Sequence, residues 1–360
     1  MSETAIPGSG PARPRPVSSF EFWPGWIFYT PVVLFWMLLG LRYGNWALPT
    51  AANPRITTGG LCGESKSSIL GMAGPVASRW IAPFVTVTAG HESAADAVSL
   101  LDRAGLSFPV VAKPDIGCNG TGVMFVNGPE RLAEVLALFP RDVLLLLQAY
   151  VPHPGEAGIF YMRAPGEAQG RITSITYKQA PVLTGDGRST LRELVMQDDR
   201  TRLIPEIYLP RLRDRLDDVP AAGEAVQLVF AGNHCKGSIF TNGMHDATEA
   251  LRLRMDEILR DVPDFHFGRV DVRFDSRARL RDGADFLIIE INGVGSEATH
   301  IWDRDTTIGQ AYRDQFAHYA EAFRIGHEMR RRGARTTPPL RMLHHWRVQR
   351  RLMASYPLND

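Results

Sequence analysis

The chain has 360 residues, 44% of them hydrophobic and 22% charged, with a formal net charge of +1. That length leaves room for two or three packed units with a proper core, and the near-neutral balance proposes no partner by bulk electrostatics. Three cysteines, Cys62, Cys118 and Cys235, each sit in a glycine-bearing loop with no CxxC pair, which excludes a disulfide framework or zinc site and points to a reducing compartment.

Lysine is scarce: only Lys66, Lys113, Lys178 and Lys236 occur, against 36 arginines. In so arginine-rich a chain, a lysine marks a place where a compact ammonium is wanted instead of a planar fork. All four lie beside glycine-rich or strand-end motifs.

In chain order, residues 1–19 are rich in Pro, Ser and Gly and read as a disordered tail. Residues 20–50 are an apolar, membrane-associating segment, uncharged from Phe22 to Leu41 and long enough to cross a bilayer, with Trp23, Trp26, Trp36, Tyr43 and Trp46 as interfacial aromatics. Pro24, Gly25 and Pro31 leave only about ten good helical positions after the last proline. A membrane anchor, a true span, and an apolar helix buried in the protein or an oligomer stay open, with association favoured.

Residues 51–106 read as an N-terminal, substrate-side unit. Within it Gly63, Glu64, Ser65 and Lys66 open a helix whose N–H groups, with the lysine, would hold a substrate carboxylate or phosphate. Residues 93–104 form an amphipathic helix.

Residues 107–152 then give strand, glycine loop, strand, helix, strand. The loop follows Lys113 and carries Gly117, Asn119, Gly120, Thr121 and Gly122. Its glycines do not open a helix, as a dinucleotide fingerprint requires, and no Gly-Lys-Ser/Thr ends it. The lysine precedes the loop, unlike in protein kinases. What survives is a flexible flap laying backbone N–H groups over phosphates. Residues 153–325 supply strands for a larger sheet and two helices, at 246–260 and 309–329. In the hairpin of FGRVDVRFD and DFLIIEING, alternation puts Arg269, Asp271 and Arg273 on one face of the first strand, and Glu290 and Asn292 on one face of the second. If the strands pair, Asp271, Glu290 and Asn292 converge as hard oxygen ligands for Mg²⁺ held with nucleotide phosphates. Glu290 ends a run of four apolar residues, where an acid is costly without a partner.

This order of motifs, a lysine before a glycine flap, a hinge strand, a second lysine, then RVDV and a late EIN, resembles the α+β ATP-grasp fold, with a small glycine-flap subdomain and a larger sheet subdomain. It is most similar to carboxylate–amine ligases such as D-alanine–D-alanine ligase, and residues 182–195 look like the corresponding stretch of cyanophycin-synthetase-type ligases. The resemblance implies an ADP-forming ligase using ATP and Mg²⁺ through an acylphosphate. It implies that Lys113 contacts the α/β-phosphates, Lys178 is the second nucleotide lysine, Gln148, Ala149, Tyr150 and Val151 are the adenine hinge, and Glu156 meets the ribose. The sequence departs at Ala149, where the family often has Glu, leaving backbone groups to read adenine. Arg269 matches the arginine that stabilises the tetrahedral intermediate. His234 and Lys236 suit a contact with the γ-phosphate or acylphosphate, and Gly295, Ser296 and Glu297 lie where similar ligases bind the acceptor.

The remaining segment, 326–360, is arginine-rich and reads as a basic amphipathic helix on a surface; no nucleic-acid module accompanies it. The expectation is a cytoplasmic ligase for small carboxylate and amine substrates, attached to the inner face of the cell membrane, with oligomerisation possible. An ATP-grasp phosphotransferase and a non-catalytic nucleotide-binding protein are the alternatives.

Overall fold

The computed structural model describes residues 17–229, 232 and 237–357. The first 16 residues of the expected disordered tail, and His234, Cys235 and Lys236, lie outside them.

Helix α1 (Gly25–Tyr43) contains Pro31, so the helix does not wait for the last proline as expected. Pro31 forfeits only one ladder bond, and Phe28 and Val32 around it are buried against α9 (Ile308–Arg331). A left-handed Gly44 ends the helix, its N–H reaching the Gly40 and Leu41 carbonyls.

Helix α2 (Lys66–Leu70) leads to β1 (Phe84–Thr88), α3 (Ala94–Arg103), β2 (Val110–Pro114), β3 (Met124–Val126), α4 (Pro129–Leu138) and β4 (Leu144–Ala149). These strands form an antiparallel sheet in the order β1-β4-β2-β3. The sheet thus crosses the boundary expected at residue 106, because β1 pairs with β4 along Phe84–Thr88. Alternation decides which side chains meet α3 and α4: Val110, Ala112, Leu145 and Leu147 join their core, which turns Val111, Lys113 and Gln148 to the opposite face.

The larger antiparallel sheet, in the order β11-β10-β5-β6-β9, comprises β5 (Gly155–Met162), β6 (Arg171–Gln179), β9 (Ile239–Asn242), β10 (Phe267–Phe274) and β11 (Phe286–Asn292). Between β6 and β9 an insertion of β7 (Val182–Thr184), α5 (Leu191–Gln197), α6 (Pro205–Tyr208) and β8 (Ala225–Gln227) has its own core. Ile159, Tyr161, Val270 and Val272 pack with α7 (Glu249–Arg260), while α8 (Arg277–Arg281) lies in the β10–β11 connection. Their strand neighbours therefore face the other way, Phe160, Met162 and Phe267 onto α9, and Arg269 and Asp271 into a cavity that residues of the smaller sheet also line. This is the expected pairing of a small flap-bearing subdomain with a larger sheet subdomain. Helix α10 (Pro339–Ser355) follows.

Candidate active site

Between the two sheets lies a cavity of about 520 Å³. From the small subdomain come Val111, Lys113 and Gln148, then Ala149, Tyr150 and Val151 at the crossing, and the flap residues Gly117, Asn119, Gly120 and Thr121. The large sheet supplies Glu156, Lys178, Arg269, Asp271, Glu290 and Asn292. The hairpin is in the register that the alternation requires: Asp271 stands opposite Glu290, and Arg269 opposite Asn292.

Each lysine of the cleft is held. Lys113 donates to Gln148 Oε1 at 2.7 Å and to the Ile289 carbonyl at 3.2 Å. Burial pushes its pKa down, against the pull of Glu290 and Glu156. Lys178 Nζ stands 3.1 Å from Asp271 Oδ2 and 3.3 Å from Glu156 Oε1. Arg269 forks onto Asp271 at 2.9 and 3.2 Å. Burial opposes ionisation of Asp271, but the Arg269 and Lys178 charges outweigh it and hold the carboxyl below its ordinary range. Lys66 donates to the Gly117 carbonyl at 2.6 Å and lies 3.6 Å from Glu290 Oε1, so it ties flap to sheet. Three of the four lysines thus converge on one cleft; Lys236, like His234, lies outside the described residues.

The donor set suits a divalent cation with a polyphosphate. Cations and carboxylates neutralise one another here, and an anion–metal pair would offer each a new partner of opposite charge. Asn292 Nδ2 is buried with no hydrogen-bond partner among the described residues, a donor that an anionic oxygen would satisfy, while its Oδ1 is the atom a cation would take. Among the described residues no group of three or more His, Cys, Asp or Glu gathers for a metal; the expected set has only two such side chains, plus an amide.

Several expectations change. Asp115 and Ser65 already occupy the opening turn of α2, its backbone carbonyl taking Lys66 N at 3.1 Å, its carboxylate Ser67 N at 2.8 Å, and Ser65 Oγ taking Ser68 N at 3.1 Å. That turn therefore has no N–H groups to spare for an anion. Glu64 and Lys66 line the cavity, whereas Gly63, Ser65 and Gly122 do not. Glu64 Oε2 is buried without a partner among the described residues, and burial raises its pKa. Ser296 turns inward: its hydroxyl donates to the Gly293 carbonyl and accepts from Arg269 N, and its N–H also serves Gly293. It shapes a turn and has neither group left for a carboxylate. Glu297 accepts from Tyr29 Oη at 3.0 Å, Trp302 Nε1 at 2.7 Å and Gln315 Nε2, so three neutral donors hold the acid expected to take an amino group.

Other lining residues had no local signal: Tyr29 of α1, Phe240, Trp302, and Gln349 of α10. The basic helix is not detached. Gln349 Oε1 accepts from Gly63 N at 2.7 Å, and beyond the helix Tyr356 Oη donates to the Ile116 carbonyl at 2.7 Å, at the root of the flap. Gly60, left-handed at φ 82°, lets its loop lie on the Gly293 loop; a Cβ there would come within 2.5 Å of Gly293 Cα.

No family model matches the chain, and no curated protein sequence does. Among solved structures it is similar to a bifunctional glutathione synthetase from Pasteurella multocida, at 18% identity over 67% of this chain and 35% of that one, with a TM-score of 0.35. The D-cycloserine synthetase DcsG gives 13%, 71%, 70% and 0.37. A D-alanine–D-alanine ligase from Bacillus anthracis gives 14%, 78%, 71% and 0.39. The chain therefore spans about a third of the length of the glutathione synthetase, and likeness at this level reaches no individual residue.

Proposed function

We propose that the protein is an ATP-grasp carboxylate–amine ligase. The observation that carries the reading is the meeting, under one glycine flap, of Lys113 from the small sheet with Lys178, Asp271, Glu290 and Asn292 from the large one. Residues 148–151 hold adenine at the crossing of the sheets, with Glu156 toward the ribose, and Lys113 and Lys178 take the phosphates. Glu290, Asn292 and Asp271 would hold Mg²⁺, which supplies neutralisation of the triphosphate charge.

In the first step a substrate carboxylate oxygen attacks the γ-phosphorus. The new O–P bond forms as the β–γ bridging bond breaks, and ADP leaves with that electron pair. In the second, an amine nitrogen attacks the acylphosphate carbon. Arg269 steadies the oxyanion, the C–N bond forms, the C–O bond to phosphate breaks with its electron pair going to the phosphate, and the nitrogen passes its extra proton to that departing phosphate. The flap, tied by Lys66, keeps water from the acylphosphate.

Hydroxylamine trapping tests this reading. With Mg-ATP and a panel of carboxylates, an acyl hydroxamate should accumulate; a stable phosphorylated product in its place would assign a phosphotransferase instead.

A further inference from the structure

Helix α1 does two things at once. Its inner face is packed: Phe35 meets Phe316 at 4.5 Å between ring centroids, and Trp36 meets Phe323 at 5.1 Å. Its outer face carries Trp26, Val33, Leu34, Leu38 and Leu41, each 57–75% exposed. By length and composition it could cross a membrane, but a helix docked lengthwise on α9 suits burial of one face at the headgroup level.

Tyr29 joins that outer face to the cavity. It lines the cavity, binds Glu297, and is still 36% exposed, so one side chain of α1 touches both the cavity and the surface. Trp302 and Phe240 add aromatic walls, and Glu64 offers a buried carboxylate oxygen that has no partner among the described residues. An acid and aromatic walls lining one cavity suit an ammonium attached to an apolar body; the charged neighbours of Glu64 are Lys66 and Glu290.

The second helix at this cavity, α10, carries exposed Arg341, Arg347, Arg350 and Arg351. No acidic residue occurs from Met329 to Asn359, and none within α1. The start of α10 is tied to the end of α1, where Asn45 Nδ2 donates to Thr336 Oγ1 at 3.4 Å. An apolar stripe and an arginine row flanking one cavity complement an anionic bilayer. A second copy seated there would bring the same arginines face to face.

We propose that α1 and α10 seat the protein on an anionic lipid surface and that the amine of the reaction is the headgroup of a membrane amine lipid, entering past Tyr29 to Glu64. The proposal rests on the ligase reading for the fate of that amine, but its binding part stands apart from ATP chemistry.

Flotation with phosphatidylcholine vesicles, with and without phosphatidylglycerol, tests the seat. The full chain should float with the anionic vesicles, and the double variant Leu34→Glu/Leu38→Glu should stay below while binding Mg-ATP normally. A phosphatidylethanolamine carrying a diazirine in its acyl chain then tests the amine site. Photolabel should appear on the peptides bearing Tyr29 and Trp302, be competed by phosphatidylethanolamine but not by phosphatidylcholine, and fall roughly tenfold in Glu64→Gln with flotation unchanged. Equal competition by both lipids, or full labelling of Glu64→Gln, would overturn the amine site. Absence of flotation, with light scattering showing a dimer that Leu34→Glu/Leu38→Glu splits, would give the stripe to a second copy and overturn the seat. Loss of Mg-ATP binding alone would sink the ligase reading and leave these outcomes readable.

Discussion

At the scale of single residues, the cleft is a set of exchangeable ion pairs. Lys113 is partly buried and, among the described residues, bonded to neutral acceptors, Gln148 and the Ile289 carbonyl, so on the ligase reading an arriving phosphate gives it a direct anionic partner. Lys113→Ala should weaken Mg-ATP binding at least about tenfold, the scale of one charge-assisted hydrogen bond; titration calorimetry reads it, and unchanged affinity would remove Lys113 from the phosphate site. Glu290→Gln keeps the shape of the side chain and removes its charge. Mg²⁺-dependent turnover should fall by more than the roughly 100-fold that losing an outer-shell partner can cost, with circular dichroism unaltered. The place of Glu290 on the cavity wall was legible because a period of two fixes which strand side chains share a face, and that of Lys113 because it stands at the root of the glycine loop. Gly295, Ser296 and Glu297 line the cavity as expected, but their bonds were not legible: a loop has no period, and only coordinates reveal that Trp302, Gln315 and Tyr29 hold the glutamate.

At the scale of elements, the packing of α9 on the large sheet buries a polar pair. His300 Nδ1 lies 2.8 Å from Ser174 Oγ and its Nε2 3.0 Å from Asp314, while His318 Nε2 meets Thr173 Oγ1 at 3.0 Å. Burial, with His300 nearby, lowers the His318 pKa from 6.5 to about 4. The unfolded chain therefore takes up a proton as pH falls through 6.5, and the folded chain does not until about 4, so stability drains away across that window. The advantage of the wild type over His318→Gln at pH 7 should shrink by on the order of 3 kcal/mol by pH 4. Thermal melts at stepped pH would show it, and parallel curves would refute it. The extent of α3 was readable from its periodicity, and α9 was expected within two residues at each end, while the helix expected from residue 246 begins at Glu249. The continuity of α1 through Pro31 was not, because the propensity cost is local and the compensating burial on α9 comes from some 290 residues away.

For the whole molecule, the segment before α1 is part of the packed structure. Phe20 is fully buried, stacking on Phe28 at 5.6 Å, and Glu21 forms a buried ion pair with Arg200 of the inserted unit. Removing one partner of such a pair costs roughly 3 kcal/mol, so Glu21→Gln should lower the unfolding midpoint measurably even in detergent; an unchanged midpoint would show the contact to be incidental. A truncation meant to release the chain from lipid would also strip this contact, which is why surface substitutions on α1 are the cleaner probe. The two-sheet plan was visible in the order of motifs, whereas the docking of both flanking helices was not, since contacts such as Gly63 to Gln349 leave no trace in local sequence.

The reach of α1 and α10 into one cavity has a consequence for synthesis. Tyr29 emerges from the ribosome early and Gln349 only after more than 300 further residues. The sheets can pair as they appear, but the wall that Gln349 contributes and the Tyr356 tie on the flap are missing from every shorter nascent chain. Such a chain can form its sheets long before it can close the cavity, so the contacts that Gln349 and Tyr356 make with the loops at residues 63 and 116 are among the last to form.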